Sequence, residues 1–580
     1  MKRFLQQVLI VILGVFTSLA LLIGILLLLL QPSKPKLTDK TVLHIALRGS
    51  VVEHVTDTFT ELLQGRGNEE ISLLTLKKAI KHAQEDKNIQ GIYLEAATLQ
   101  AGWASLEEIR EALLSFKKAG KFIVAYGEGY TQKTYYLASL ADAIVLSPAG
   151  IFAWQGLSQT VFFYKALFEK LEVVPQVFQV GKYKSAVEPF IRQDMSPASK
   201  HQSVMLLRGI YNHFLDKVAT ARTLKQDSLQ AMADQLAVVL PQDACKAQLV
   251  SQVGYFDEAA TLIRTKLAVD EEASIHYLPY KKYAASLKKN LSSSKNQVAV
   301  LIAEGDIIDG QGDTNTIGSK GLADHLSALR KDEAVKAIVL RINSPGGSVL
   351  AADVLWKELM LTRAQKPIVA SMSDVAASGG YCLAAACNRI LAHPTTITGS
   401  IGIFGLFFDV NALLRNKLGI TTDVVKTGSS ADLLNNLGRP LTTHEQAVIR
   451  KVIDKGYTTF LERVATGRNL DQEAITRVAS GRVWSGQAAQ EQGLVDELGG
   501  LEDAIQAAVK LAAIEKDYVV SYWPKPQSLP EQICENLRTE INNVAVLSAL
   551  QATSSGLNSI QKLINMTGIQ ARLPYEITID

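Results

Sequence analysis

The 580-residue chain holds only four cysteines, Cys245, Cys382, Cys387 and Cys534, and no Cys-x-x-Cys. That excludes a disulfide framework and a zinc ribbon, leaving buried free thiols as their role. Cys382 and Cys387 stand five residues apart on an expected helix, about 140° apart around its axis, which disfavours a bond. Nine histidines include no His-Glu-x-x-His and no paired metal spacing, so neither a metal nor any other cofactor is expected. No long run of one charge occurs either. Lys and Arg number 60 against 57 Asp and Glu, a net charge of +3, which gives no support for a nucleic-acid partner. What remains is 47% apolar and 20% charged, ordinary for a folded chain with a membrane segment, and long enough for roughly two to four domains.

One stretch lacks charge altogether. From Phe4 to Leu30 there is no Asp, Glu, Lys or Arg, and about 20 apolar residues suffice for a helix to cross a bilayer. Met1-Lys2-Arg3 precedes it and Gln31-Pro32-Ser33-Lys34-Pro35-Lys36 follows, with no small-x-small cleavage site at the junction. The pattern predicts an uncleaved, single-pass signal anchor over 4–30 and a linker over 31–42. Lys34 and Lys36 offset Lys2 and Arg3, and the N-terminal amine tips the orientation toward N-inside. That orientation puts the main body across the membrane, with membrane lipid as a partner; the family resemblance that the motifs below carry implies a bacterial inner (cytoplasmic) membrane with the main body on the periplasmic side.

The remainder repeats itself. Glu85–Leu94 (EDKNIQGIYL) lies over Lys331–Leu340 (KDEAVKAIVL), and Tyr135–Gly156 over Tyr381–Gly402, both at an offset of 246 residues. Lys121–Ala125 (KFIVA) matches Lys366–Ala370 (KPIVA) with a slip of one. Each copy alternates β-branched runs with helical patterns, which implies an α/β fold of βαβ units with right-handed crossovers. In the second copy, strands are expected at Val298–Ile302, Ala337–Ile342 and Ile368–Met372, and helices at Leu322–Leu329 and Val349–Leu361. The domains follow as an N-terminal repeat over 43–287, a linker over 288–296 (KKNLSSSKN) and a C-terminal repeat over 297–523. The tail over 524–580 shows no interpretable pattern.

Three loops of the second copy join glycine to serine at strand ends: Asn343–Ser348 (NSPGGS), Ala376–Tyr381 (AASGGY) and Thr398–Gly402 (TGSIG). Glycine lets the backbone turn sharply and leaves its N–H accessible at a helix start. Two such N–H groups facing one point make an oxyanion hole. A serine nucleophile needs a proton acceptor. His393 is the only nearby histidine and has no carboxylate spacing to mark a triad. A lysine serves when burial keeps its amine neutral, and Lys184 in Gly181–Phe190 (GKYKSAVEPF) has suitable surroundings.

SPGGS, AASGGY and TGSIGIFG, with YKSAVEPF in the first half and VWSGQAAQEQGLVDELGG at Val483–Gly500, resemble the long, duplicated form of the bacterial signal peptide peptidase A family. The likeness runs from the anchor to about Leu511. It implies two tandem crotonase/Clp-protease-like repeats behind one transmembrane helix. It also implies a serine endopeptidase with Ser400 as nucleophile and Lys184 as general base. Substrates would be cleaved signal peptides and other short apolar peptides, and the assembly a homotetramer. By similarity to Clp-type proteases, Gly347 and Gly379 supply the oxyanion donors. In those relatives the nucleophile stands where Ser378 is here; the resemblance assigns the role to Ser400. Thr427 or Ser429 is the candidate hydroxyl for orienting the lysine. The duplication points the same way. At the repeat offset Gly346 and Gly347 face Gln100 and Ala101, Ser378 faces Gln132 and Ser400 faces Trp154, and with a slip of one that aligns Gly181 with Gly428, Lys184 faces Ala431. Each half lacks what the other keeps. Two rivals stand beside this reading: a crotonase-type acyl-CoA hydratase or isomerase, for which Asp374 is the only and a poor acid/base candidate, and a non-catalytic membrane scaffold.

Overall fold

The structure is a computed structural model describing residues 14, 17–18, 37–54, 70–287, 294–313, 315–433, 439–525, 568–573 and 579. In the first half, strands β1 (Thr41–Val52), β2 (Ile89–Gln100), β3 (Phe122–Tyr130) and β4 (Ala143–Phe152) lie side by side in that order. Every pairing among them is parallel. A parallel sheet is covered on both faces, so β2 reads as a near-continuous apolar run in place of a strict alternation. Helix α1 (Trp103–Lys118) packs on it through Leu106, Ile109, Leu113 and Phe116, one helical stripe.

The second half repeats this layout. β6 (Gln297–Glu304), β8 (Val335–Ser344) and β10 (Ile368–Ala377) pair in parallel, and β11 (Ile397–Gly399) continues the sheet beside β10. Helix α2 (Val349–Arg363) occupies the place that α1 holds in the first half. The expected strands and helices of this copy fall within Gln297–Glu304, Ser319–Lys331, Val335–Ser344, Val349–Arg363 and Ile368–Ala377. Each extends past the residues that periodicity marks, because hydrogen-bonded ends need no apolar side chain. The stretch Ser199–Leu267 is helix-rich. Cys245, Cys382 and Cys387 are free thiols.

A third sheet ties the halves together. β5 (Val174–Val180), from the first half, pairs antiparallel with β12 (Ile403–Asp409) over seven residues. On its other edge β12 meets β13 (Gly568–Arg572), which in turn pairs with β9 (Gly346–Ser348), and β9 touches β7 (Asp306–Ile308). Buried ions join the halves elsewhere. Arg341 on β8 bridges Glu53 at 2.9 Å and Glu108 on α1 at 2.7 Å, all three about 1% exposed. Charges so buried are tolerable only when paired.

The expected membrane location is corrected. Among the described residues no helix is long and apolar enough to cross a membrane. Of the proposed span 4–30 only Gly14, Thr17 and Ser18 are described; the rest of it, the first half of the linker 31–42 and most of the linker 288–296 lie outside the described residues. An uninterrupted apolar composition is a statement about partitioning, and it does not by itself define a helix that spans. β1 starts at Thr41, inside the expected first linker.

Candidate active site

The antiparallel pairing of β5 with β12 carries two loops to one place, since Lys184 follows β5 and Ser400 precedes β12. The Lys184 amine lies 3.0 Å from Ser400 Oγ, 2.9 Å from Ser378 Oγ and 3.1 Å from the Ser400 carbonyl oxygen. Lysine and both serines have no solvent exposure. Burial drives the Lys184 amine well below the usual lysine range, and no ion pair with a carboxylate offsets that burial among the described residues. A neutral amine has two N–H donors and one lone pair, which matches these three neighbours. The carbonyl must accept one N–H, leaving one N–H and the lone pair for the two hydroxyls.

Glycine makes this burial sterically workable. Gly481 has φ +78, and a Cβ there would come within 2.6 Å of the Lys184 backbone nitrogen and Cβ. Gly402 packs on the lysine stem from another side, where an added Cβ would lie 3.2 Å from Lys184 Cδ. The serines are held by their own backbones. Ser378 N–H donates to Gly399 O at 2.8 Å, and Ser400 N–H donates to Arg482 O at 2.7 Å. Both serines sit at positive φ, +54 and +53, a region that costs a non-glycine residue on the order of 1 kcal/mol. Such strain clusters at functional positions.

The two glycine loops converge beside them. Gly346 has φ +102, and a Cβ built on it would lie 2.8 Å from Gly379 N. Gly347 is on β9 and Gly379 opens the helix Gly379–Ala385 directly after Ser378. The candidate hole residues, nucleophile and base therefore meet, drawn from both repeats. Thr427 and Ser429 do not join them. Both are exposed, on the loop beyond β12, and the second hydroxyl at the lysine is Ser378. The sequence had singled out Ser378, but as the position of the nucleophile in Clp-type relatives.

His393 belongs elsewhere. It is 1% exposed and its Nε2 lies 3.5 Å from Glu108, inside the Arg341 cluster. Burial opposes the charge of Glu108, yet Arg341 and Lys77 hold its carboxyl well below the usual range. Asp374 is also committed to the interface between halves: it accepts from Ser105 N–H at 2.8 Å and from the Ser105 hydroxyl. Its burial raises its pKa.

Residues 115–270 and 360–515 each match the family described as Peptidase family S49, two matches spaced like the internal repeat. Residues 289–397 also match Clp protease. "Serine protease SPPA, chloroplastic" of Arabidopsis thaliana is 34% identical over 542 residues, covering 92% of this chain and 77% of that protein. "Protease 4" of Salmonella typhi is 38% identical over 469 residues, covering 80% of this chain and 75% of its own length. "Protease 4" of Haemophilus influenzae is 35% identical over 484 residues, covering 80% and 77%.

Proposed function

The chain belongs to peptidase family S49, a serine protease built from two tandem repeats, and from that premise we propose that it hydrolyses peptides with Ser400 as nucleophile and Lys184 as general base. The N-terminal repeat over 43–287 contributes the base. The C-terminal repeat over 297–523 contributes the nucleophile and the hole.

One observation carries this reading: an amine with no solvent contact and no carboxylate partner among the described residues, 3.0 Å from the Ser400 hydroxyl. An amine kept neutral takes the serine proton as the oxygen attacks a carbonyl carbon. The N–H groups of Gly347 and Gly379 receive the developing oxyanion. The lysine, now protonated, gives its proton to the leaving amine, and water releases the acyl group. Ser378 holds the amine in line, taking the role the sequence suggested for Thr427 or Ser429. Short apolar peptides, released signal peptides among them, are the substrates in this reading. A homotetramer is its assembly, and light scattering on the purified chain tests the number.

The hydratase reading loses support because its one carboxylate, Asp374, is engaged by Ser105. The test is cleavage of an unstructured apolar peptide by the purified chain. Ser400→Ala and Lys184→Ala each abolish it under this proposal. Cleavage that persists in both variants overturns the proposal.

A further inference from the structure

Lys184 and Ser400 come from different repeats, so their separation depends on what ties the two backbones together. The segment Ser480–Val483 is the shared support. Tyr183 N–H donates to Ser480 O at 2.9 Å, Gly481 N–H donates to Ile401 O at 2.8 Å, and Ser400 N–H donates to Arg482 O. One buried side chain completes the tie. Gln202, on the first-half helix Pro197–Arg222, is 4% exposed. Its Nε2 donates to Tyr183 O and to Ser185 Oγ, each at 3.1 Å, so it grips the residues on either side of Lys184. Its Oε1 accepts from Val483 N–H at 3.1 Å. Val483 opens the edge strand Val483–Ser485, which pairs antiparallel with β11 and sets Val483 opposite Gly399, the residue before Ser400.

A carboxamide suits all three partners, because it offers two N–H donors and an acceptor oxygen without a charge. Turned over, it would set oxygen against Tyr183 O and nitrogen against Val483 N–H, so its neighbours fix its orientation. A glutamate of the same shape would keep the bond from Val483 and lose both donations to the lysine loop. The Lys184 amine stands at the end of a four-carbon stem, so a tilt of the backbone over 183–185 is carried to Nζ. That nitrogen lies 3.0 Å from Ser400 Oγ, inside the narrow range of a hydrogen bond. A misplacement of about 1 Å costs a reaction about a hundredfold.

We propose that Gln202 is a positioning residue for the reaction: its amide holds the Lys184 amine at bonding distance from Ser400 by tying the lysine loop to the strand beside the nucleophile. It acts through the backbone on either side of Lys184 and not on the reacting atoms. The role rests on the Ser400–Lys184 reading above. Alignment of a base counts in the transition state and not in binding the peptide, so loss of the amide lowers kcat and leaves KM in place. It also slows attack by Ser400 on any electrophile, peptide or not.

The experiment uses the full chain, a fluorogenic apolar peptide, and a sulfonyl fluoride probe whose labelling of Ser400 is located by mass spectrometry. Gln202→Met keeps the length of the side chain and removes all three bonds; Gln202→Glu keeps only the one from Val483. Each is expected to lower kcat and the rate of Ser400 labelling about a hundredfold, with KM little changed. Ser185→Ala removes one of the two donations and costs about threefold in kcat; added to Gln202→Met it costs nothing more. A Gln202→Met chain that melts lower but keeps the parent's kcat and labelling rate overturns the inference and leaves the amide a structural bond. A loss in Gln202→Met that Gln202→Glu does not share also overturns it, since the lysine side would then be idle. Should neither Gln202 variant fold, an unchanged kcat in Ser185→Ala overturns it equally. Cleavage abolished by Ser400→Ala, with parental kcat in the Gln202 variants, sinks this inference and leaves the peptidase reading standing. Cleavage insensitive to Ser400→Ala sinks both.

Discussion

Two hydroxyls stand almost equally near one amine, and separating their roles is the sharpest test of the site. The perturbations are Ser400→Ala and Ser378→Ala, singly, against an unstructured apolar peptide. Removing a nucleophile costs about 10⁵- to 10⁶-fold in kcat, because little of the acyl-transfer route survives without it. Removing Ser378 takes one hydrogen bond, at 2.9 Å, from the buried Lys184 amine. A partner lost from a buried polar group costs about 1–3 kcal/mol, or roughly 5- to 150-fold where the bond is needed in the transition state. The loss falls on kcat, with KM little changed, since Ser378 orients the base and does not hold the peptide. Steady-state kinetics on the two variants, with probe labelling of the remaining serine, decide the matter. A Ser378→Ala enzyme that is inert, beside a Ser400→Ala enzyme losing only a hundredfold, refutes the assignment and exchanges the two roles.

Lys184→Met is expected to abolish cleavage while raising the melting temperature, more so in acid. The folded pKa of Lys184 is depressed by burial, so its stabilising neutral form is lost as pH falls through the folded value, and methionine has no such loss. For the same reason kcat/KM of the parent rises with pH through that value, and a profile that stays flat at every pH where the fold survives contradicts a lysine base. Glu304 is raised to about 7 by burial and then by the Glu53 carboxylate. A raised carboxyl stabilises the fold while protonated and ceases to as pH climbs through about 7, a swing of about 3 kcal/mol. That swing begins near the unfolded value, so about 1.4 kcal/mol of it falls between pH 6 and 8, and denaturant titrations of Glu304→Gln at those two pH values should show this part much reduced. Gly481→Ala drives a Cβ into Lys184 at positive φ, so activity falls at least tenfold and stability falls by about 1–3 kcal/mol. Arg341→Met leaves Glu53 and Glu108 buried without their cation. It should cost about 3–5 kcal/mol in a urea titration.

Much of the fold was legible because its signals are local and periodic. Val298–Ile302 and Ala337–Ile342 announce strands through β-branched runs, and Val349–Leu361 announces a helix. The internal offset predicts that both halves share a layout. The sequence also divides the candidate residues between the halves, since Trp154 stands opposite Ser400 and Ala431 opposite Lys184, and the structure puts the Lys184 amine 3.0 Å from Ser400 Oγ. Two expectations went the other way. An uncharged run over 4–30 suggested a membrane location that no described helix supports. Thr427 and Ser429 were the candidate hydroxyls for orienting the lysine, but their loop leaves both exposed.

By itself the sequence determined the duplication, the glycine–serine loops and the division of the candidate site residues between repeats, all of which depend on residue identity and short spacing. Only the tertiary structure decided what surrounds them. Lys184 loses its solvent only in the fold, where Gly402 and Gly481, more than 200 positions away in the chain, pack on it. Ser378 becomes its neighbour because β10 and β11 pair in parallel and bring Ala377 beside Gly399. The segment Gly568–Arg572 shows no pattern of its own. Its meaning comes from two strand edges, contributed by distant parts of the chain, that leave one strand's width between them.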